Sequence, residues 1–219
     1  MAFLGCVLSM ISLIGKISLN ASLVLYLVNY IPQLFHNQKN EKITGLSFYF
    51  HLLFLLSCLT DLVYGLGAHM PWQYVLVSIT ATLYLLVQHV QIKKVIVSHL
   101  FFIGTCFLIS IFFSGLFLLF FDKYNTFIFI LFGYVSQTTS WICCFPQIIR
   151  NMGSAAALSL SLIYLSVDLL CNACDNVSAW ILSWPIPSKL GAIFSTVICL
   201  VLIFQRWRVD CSNIKTMLT

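Results

Sequence analysis

Three carboxyl side chains lie inside strongly apolar stretches of this sequence, at Asp61, Asp168 and Asp175. A charged aspartate near the centre of a bilayer costs about 2.5–3.5 kcal/mol, so such a group faces an aqueous cavity, has a partner or carries a proton. Removing a carboxyl group from water favours its protonated form, which suits a proton carrier. Lys16 is the one basic candidate within an apolar block, and its long side chain can extend to the interface. The surplus of acid predicts a site for a proton, for a cationic substrate group, or for both; a structural hydrogen-bonding role is the alternative.

Polar residues near these carboxylates recur at helical spacing. Asp168, Cys171, Asn172 and Asp175 follow the spacing i, i+3, i+4, i+7 and therefore share one helical face. Two further polar lines run through Ser18, Ser22, Asn29 and Gln33 and through Ser136, Ser140, Cys143 and Gln147. Together the three stripes predict a water-filled cavity, with interhelical hydrogen bonding as the alternative.

Other kinds of chemistry find little support. Cys171 and Cys174 have metal-like spacing but no second pair, so we expect no metal site. The sequence contains no nucleophile–base pair, phosphate loop or nucleotide fingerprint, so we expect neither an enzyme nor a cofactor. The basic residues are scattered among short loops, which argues against nucleic-acid binding.

The elements that position the polar residues follow from composition. Of 219 residues, 61% are hydrophobic and 8% charged, whereas an ordinary soluble domain is about 45–50% apolar and about 25% charged. Long apolar blocks predict membrane-spanning helices of about 20 residues each. The seven blocks lie at roughly 10–35, 47–67, 71–92, 98–121, 125–149, 158–182 and 187–206 by this span rule.

The basic residues predict the orientation of these spans. Eight of them fall on the side of the C-terminus and three on the side of the N-terminus. The positive-inside rule therefore predicts a cytoplasmic C-terminus and an N-terminus that is outside or lumenal.

An internal repeat links the first and last thirds of the chain. An offset of 114 residues aligns 30–66 with 144–180 without a gap. The identical pairs are Pro32/Pro146, Gln33/Gln147, Asn37/Asn151, Leu46/Leu160, Ser47/Ser161, Leu55/Leu169, Leu56/Leu170, Asp61/Asp175 and Val63/Val177. The fold class predicted is thus an all-α integral membrane protein with two parallel three-helix repeats joined by a linker helix. We place the first repeat at 1–96, the linker helix at 97–122, the second repeat at 123–208 and a cytoplasmic tail at 209–219.

The repeated Pro-Gln pairs are candidate hinges. A proline inside a helix removes a backbone hydrogen bond and clashes with the preceding turn. Because Pro32-Gln33 and Pro146-Gln147 occupy matching positions, we interpret them as moving parts, with a static kink as the alternative.

The segments Ile31-Pro32-Gln33-Leu34 and Phe145-Pro146-Gln147-Ile148, set in a repeat of three, one and three spans, resemble the PQ-loop family of transporters. That family includes cystinosin-like proteins, lysosomal cationic amino-acid exporters and the related SWEET sugar carriers. The resemblance to the cystinosin branch implies that Asp168 is the protonatable carboxylate next to the substrate and that Gln147 and Asn151 lie near the substrate path. Cys143 and Cys199 depart from that branch, in which a lysine and a second coupling aspartate are expected.

The sequence therefore predicts a secondary transporter that moves an amino acid, cystine or a cationic or other one, with protons. Its substrate and proton site would contain Asp168, Asp175, Asp61, Asn172, Asn29, Gln147 and Asn151. The alternatives are a sugar uniporter of the SWEET type and a seven-helix receptor or sensor. A bacterial inner membrane is favoured over a eukaryotic lysosomal or other endomembrane. A monomer is sufficient, because one chain holds both repeats, although an oligomer is possible.

Overall fold

The computed structural model describes residues 2–40, 48–93, 104, 109–117, 126–152 and 155–218. Within these ranges the chain forms α-helices and one 3-10 turn at Ala155–Ser159, and no strand. The helices are α1 (Ala2–Asn29), α2 (Ile31–Asn40), α3 (Phe48–Gly67), α4 (Trp72–Lys93), α5 (109–117), α6 (Thr126–Asn151), α7 (Leu162–Ile181) and α8 (Ile186–Leu218). The predicted all-helical fold is confirmed.

The helix bounds refine the predicted spans. The first span consists of α1 and α2 in succession, separated by a turn at Tyr30. Much of the predicted linker span, together with the loop at 41–47, lies outside the described residues. The predicted tail at 209–219 is helical as far as Leu218, because α8 continues to that residue. An ion pair between Arg206 and Asp210 (3.0 Å), one turn apart, supports this extension.

Helix length and composition identify a membrane protein. Among the described residues, four helical stretches are long and apolar enough to cross a bilayer: Cys6–Asn37, Tyr49–Gly67, Phe127–Asn151 and Ile186–Cys211. A shorter apolar helix covers Trp72–Gln88. The helix α7, which contains two aspartates and two asparagines, is not among these stretches. Large apolar side chains, such as Val24 and Phe127, are exposed on the outer faces, where lipid would cover them.

The helices pack in two repeat-related sets. The most extensive contacts pair α1 with α7 and α3 with α6, which are equivalent pairs under the offset of 114 residues. The hairpin α3–α4 corresponds in the same way to α7–α8, and the pair α1–α4 to α6–α8. The first helix of each repeat therefore packs on the second helix of the other, so the central region is shared between the repeats.

The second helix of each repeat ends with the same backbone geometry. His69 and Ser183, which are 114 residues apart, have positive φ angles of 52° and 53°. The next amides, of Met70 and Trp184, donate to the carbonyls of Gly65 and Ala179, each at 3.0 Å. This is the six-to-one hydrogen bond of a Schellman closure. The repeat therefore extends beyond the segment that sequence identity revealed.

Candidate functional site

A cavity of about 190 Å³ lies between the two repeats. Its walls come from α1, α3, α4, α6, α7 and α8. An apolar cavity of about 150 Å³ accepts benzene, so this one has room for a small solute. The position between two similar helical units is the one that substrate sites occupy in transporters built from repeats.

All three predicted carboxyl groups line this cavity. Asp168 and Asp175 project from α7, and Asp61 projects from α3. Each of the three is partly accessible rather than fully buried, because it faces the open space. Asn172, which lies on the same face of α7, lines the cavity as well. Three residues of the predicted polar face thus line the cavity, whereas the fourth, Cys171, is fully buried outside the lining.

Asp61 is held by the largest set of hydrogen bonds among the three. The hydroxyls of Tyr74 and Ser78 on α4 donate to its two oxygens, each at 2.5 Å. Ser136 Oγ (3.2 Å) and Gln137 Nε2 (3.4 Å) on α6 donate to Oδ1. Hydrogen bonds donated to a carboxylate stabilise its charged form. This network also joins α3 and α4 of the first repeat to α6 of the second.

Asp175 is the repeat counterpart of Asp61 and has fewer donors. Ser22 Oγ on α1 donates to Asp175 Oδ1 at 2.5 Å. Ser22 is the counterpart of Ser136, so the same serine–aspartate bond occurs in both halves of the site. The side chain of Tyr26 is a further hydrogen-bond partner of Asp175.

Asp168 breaks the symmetry between the repeats. Asn29 Nδ2 donates to its Oδ1 (3.0 Å) and Asn172 Nδ2 to its Oδ2 (3.2 Å). At the positions 114 residues away, Asn29 is replaced by Cys143 and Asp168 by Phe54. Asn29 is fully buried and touches the site through Asp168, without itself lining the cavity. The hydrogen-bonded pair of Asn29 and Asp168 therefore has no equivalent at the matching positions of the other repeat units.

Gln147 and Asn151, two of the predicted site residues, lie near the end of α6 and not in the cavity lining. Gln147 donates to Asn151 (2.8 Å), which donates to Gln205 on α8 (3.2 Å). The first repeat contains the equivalent chain, from Gln33 to Asn37 and on to Gln91, at 2.8 and 3.4 Å. These residues tie the first and third helices of each repeat together.

Gln33 also joins the two repeats at this end. Its Nε2 donates to the Ser159 carbonyl (2.9 Å), and its Oε1 accepts from the Ser161 amide (2.8 Å). Ser161 is the N-cap of α7. Next to this bridge, the rings of Tyr30 and Tyr164 lie 5.8 Å apart between centroids. The first Pro-Gln pair is thus in contact with the segment that begins α7.

Every charged residue in the described lining of the cavity is an aspartate. None of the described residues that line it is a lysine, arginine or histidine. Lys16, the one basic residue considered within a span, is exposed on α1, in keeping with an outward-extended side chain. The carboxyl groups are therefore met by neutral donors and not by cations.

Sequence reasoning missed the residues that hold Asp61, namely Tyr74, Ser78 and Gln137. A lone tyrosine, serine or glutamine in an apolar span gives a weak signal. Ser78 could have been predicted from the helical hairpin α3–α4. Asp61 lies six residues before the end of α3 and Ser78 six residues after the start of α4, so the two are equally far from the connecting turn. Gln137 carries no comparable signal, since its partner belongs to the other repeat.

These features define the class of the molecule, an integral membrane protein whose polar cavity lies between two similar helical units. Residues 14–74, which contain the first Pro-Gln pair and Asp61, match the family model of the PQ loop repeat. This match supports the predicted resemblance to the PQ-loop family over the first repeat. No curated protein matches the chain.

Proposed function

We propose that this protein is a secondary transporter that moves a small solute bearing an amino group, in the first instance an amino acid, in exchange for protons. One observation carries the proposal: three carboxyl groups line a cavity between the repeats, and no described lining residue is basic. An ammonium group would supply the missing positive charge. A neutral sugar gives no reason for such a lining.

Coupling follows from competition for the same carboxyl groups. A carboxylate that holds a proton has lost the charge that attracts an ammonium group, so proton and solute replace one another. Asp168 is the proposed centre of this competition, with Asn29 and Asn172 orienting its two oxygens. Asp175 and Asp61 lie in the same cavity and complete the acidic surface.

Alternating access would use the Pro-Gln pairs as hinges. The break between α1 and α2 at Tyr30 lies directly before Pro32, at the end of the molecule where Gln33 contacts Ser159 and Ser161. Movement of α2 about this break would separate the repeats there and open one side of the cavity. The proposed setting is a bacterial inner membrane, with the C-terminus in the cytoplasm.

The test is flux in proteoliposomes under an imposed pH gradient. The panel contains cystine, lysine, arginine, histidine, neutral amino acids and glucose, with Asp168→Asn compared to the native chain. Asp210→Asn is the matched control, because Asp210 pairs with Arg206 outside the cavity lining. We expect gradient-driven flux of an amino-bearing solute that Asp168→Asn lowers at least about tenfold and Asp210→Asn leaves unchanged.

Two results would overturn the proposal. Glucose flux that ignores the proton gradient would favour a sugar uniporter. Tight binding of a panel member without any flux would favour a receptor or sensor.

A further inference from the structure

We infer that the solute this cavity prefers is a small aliphatic amine that lacks a carboxylate, such as a diamine. The inference rests on the proposed function, since it concerns what the same cavity selects among solutes with an amino group. It departs from the expectation that an amino acid is the preferred solute, because an amino acid carries a carboxylate as well as an ammonium group. The observations that carry it are the charge of the lining, the partners of its hydrogen-bond donors and the position of its aromatic rings.

The described part of the cavity wall offers no cation for a carboxylate. Lysine and arginine are the usual partners of a bound carboxylate, through charge-assisted hydrogen bonds. Here Lys16 is exposed on the outer surface of α1. Lys189 lies over the ring of Trp180 at 5.1 Å, and Arg206 pairs with Asp210. A solute carboxylate would instead meet three aspartates, and like charges in a partly desolvated site repel strongly.

The neutral donors that contact the three carboxyl groups are already used. Tyr74, Ser78, Ser136 and Gln137 all donate to Asp61. Asn29 and Asn172 donate to Asp168, and Ser22 donates to Asp175. A solute carboxylate that took one of these donors would leave an aspartate oxygen without that partner, which has a cost in free energy. An ammonium group needs acceptors alone and can add to the same carboxylates without displacing a donor.

Two carboxyl groups are spaced along one wall. Asp168 and Asp175 are seven residues apart on α7, about 10 Å along the helix axis. Their partners Asn29 and Ser22 lie on α1, and Tyr26 lies between those partners in the sequence and lines the cavity. Aromatic faces attract ammonium groups. A solute with an ammonium group at each end and a methylene chain between them fits both carboxyl groups and the aromatic wall.

The experiment compares solutes that differ by the carboxylate alone. Lysine is paired with cadaverine, which is lysine without its α-carboxylate, and arginine with agmatine. Lysinamide removes the negative charge while it keeps both amines. Each is tested in proteoliposomes containing the full chain, as flux and as competition with radiolabelled cadaverine. We expect an apparent KM at least about tenfold lower for cadaverine than for lysine, with lysinamide close to cadaverine.

Variants connect this preference to the two carboxyl groups. Asp168→Asn and Asp175→Asn should each raise the KM for cadaverine more than the KM for a monoamine of equal chain length, whereas Asp210→Asn should change neither. Binding to the purified protein, measured as a shift in its melting temperature with cadaverine or lysine, reports selection even for a variant that is inactive in flux. An equal or better KM for lysine than for cadaverine overturns the inference but leaves the proposed function intact. Absence of both flux and binding for every amine would overturn the two together.

Discussion

The three aspartates of the cavity differ in the hydrogen-bond donors that surround them. Asp61 accepts from four side chains on α4 and α6. Asp175, its repeat counterpart, has Ser22 and Tyr26 as partners. Donors aimed at a carboxylate favour its ionised form. Equivalent positions in the two repeats therefore have unequal sets of donors, so loss of one donor should matter more at Asp175 than at Asp61.

The serine–aspartate bonds provide a matched test of this inequality. Ser22→Ala removes one of two partners from Asp175, whereas Ser136→Ala removes one of four from Asp61. A hydrogen bond to a charged group is worth about 1.5–3 kcal/mol, and one pH unit corresponds to about 1.4 kcal/mol. We expect Ser22→Ala to raise the pH of half-maximal transport by about one unit and Ser136→Ala to change it much less. Equal changes in the two pH profiles would contradict this assignment.

The same residues show what the sequence could predict. An aspartate in an apolar span must face a cavity, a partner or a proton, and this reasoning brought Asp61, Asp168 and Asp175 to one site. Gln137 could not be found, because its contact depends on the packing of α3 against α6. Gln147 and Asn151 were expected near the substrate path, but the structure places them away from the cavity lining, where Gln147 donates to Asn151 and Asn151 donates to Gln205.

The two Pro-Gln pairs are identical in sequence, but the helices around them differ in structure. Pro32 follows the break at Tyr30 and belongs to α2, whereas Pro146 lies inside the continuous helix α6. A proline in a helix interior costs about 3 kcal/mol, which either a break or the surrounding packing must absorb. The sequence predicted two equivalent hinges. The structure has a one-residue turn before Pro32 and a continuous helix around Pro146, a difference that the matching sequences did not indicate.

This difference predicts unequal effects of replacing the prolines. Pro32→Ala restores a backbone donor at the break and allows α1 and α2 to join into one helix. The rate of conformational change should then fall, with a Vmax about tenfold lower and a KM that changes little, because the cavity residues stay in place. Pro146→Ala acts on a helix that is already continuous, so its Vmax should change less. Initial rates of flux over a range of solute concentrations measure both constants. If the two variants lost Vmax equally, the break at Tyr30 would have no special role.

At each end of the whole molecule, the two repeats have matching structures. At one end the Schellman closures at His69 and Ser183 terminate the second helix of each repeat. At the other end the glutamine–asparagine chains from Gln33 and Gln147 join the first helix of each repeat to its third. The bonds among these residues place α2, the ends of α4 and α6, and Gln205 of α8 on the same side. Within each repeat the first and third helices therefore run in the same direction, and the second helix runs against them.

The remaining question is which side of the membrane each end faces. Basic residues such as Arg150 and Arg206 lie towards the end formed by the glutamine–asparagine chains, and the positive-inside rule assigns this end to the cytoplasm. A C-terminal fusion of the full chain to green fluorescent protein should therefore fluoresce in bacterial cells, and the equivalent fusion to alkaline phosphatase should be inactive. A chain that ends after Trp184, which lies at the opposite end, is the matched control and should give the reverse result. An active phosphatase on the full chain would place the C-terminus outside and would reverse the proposed orientation of the transporter, while the two repeats and their cavity would remain as described.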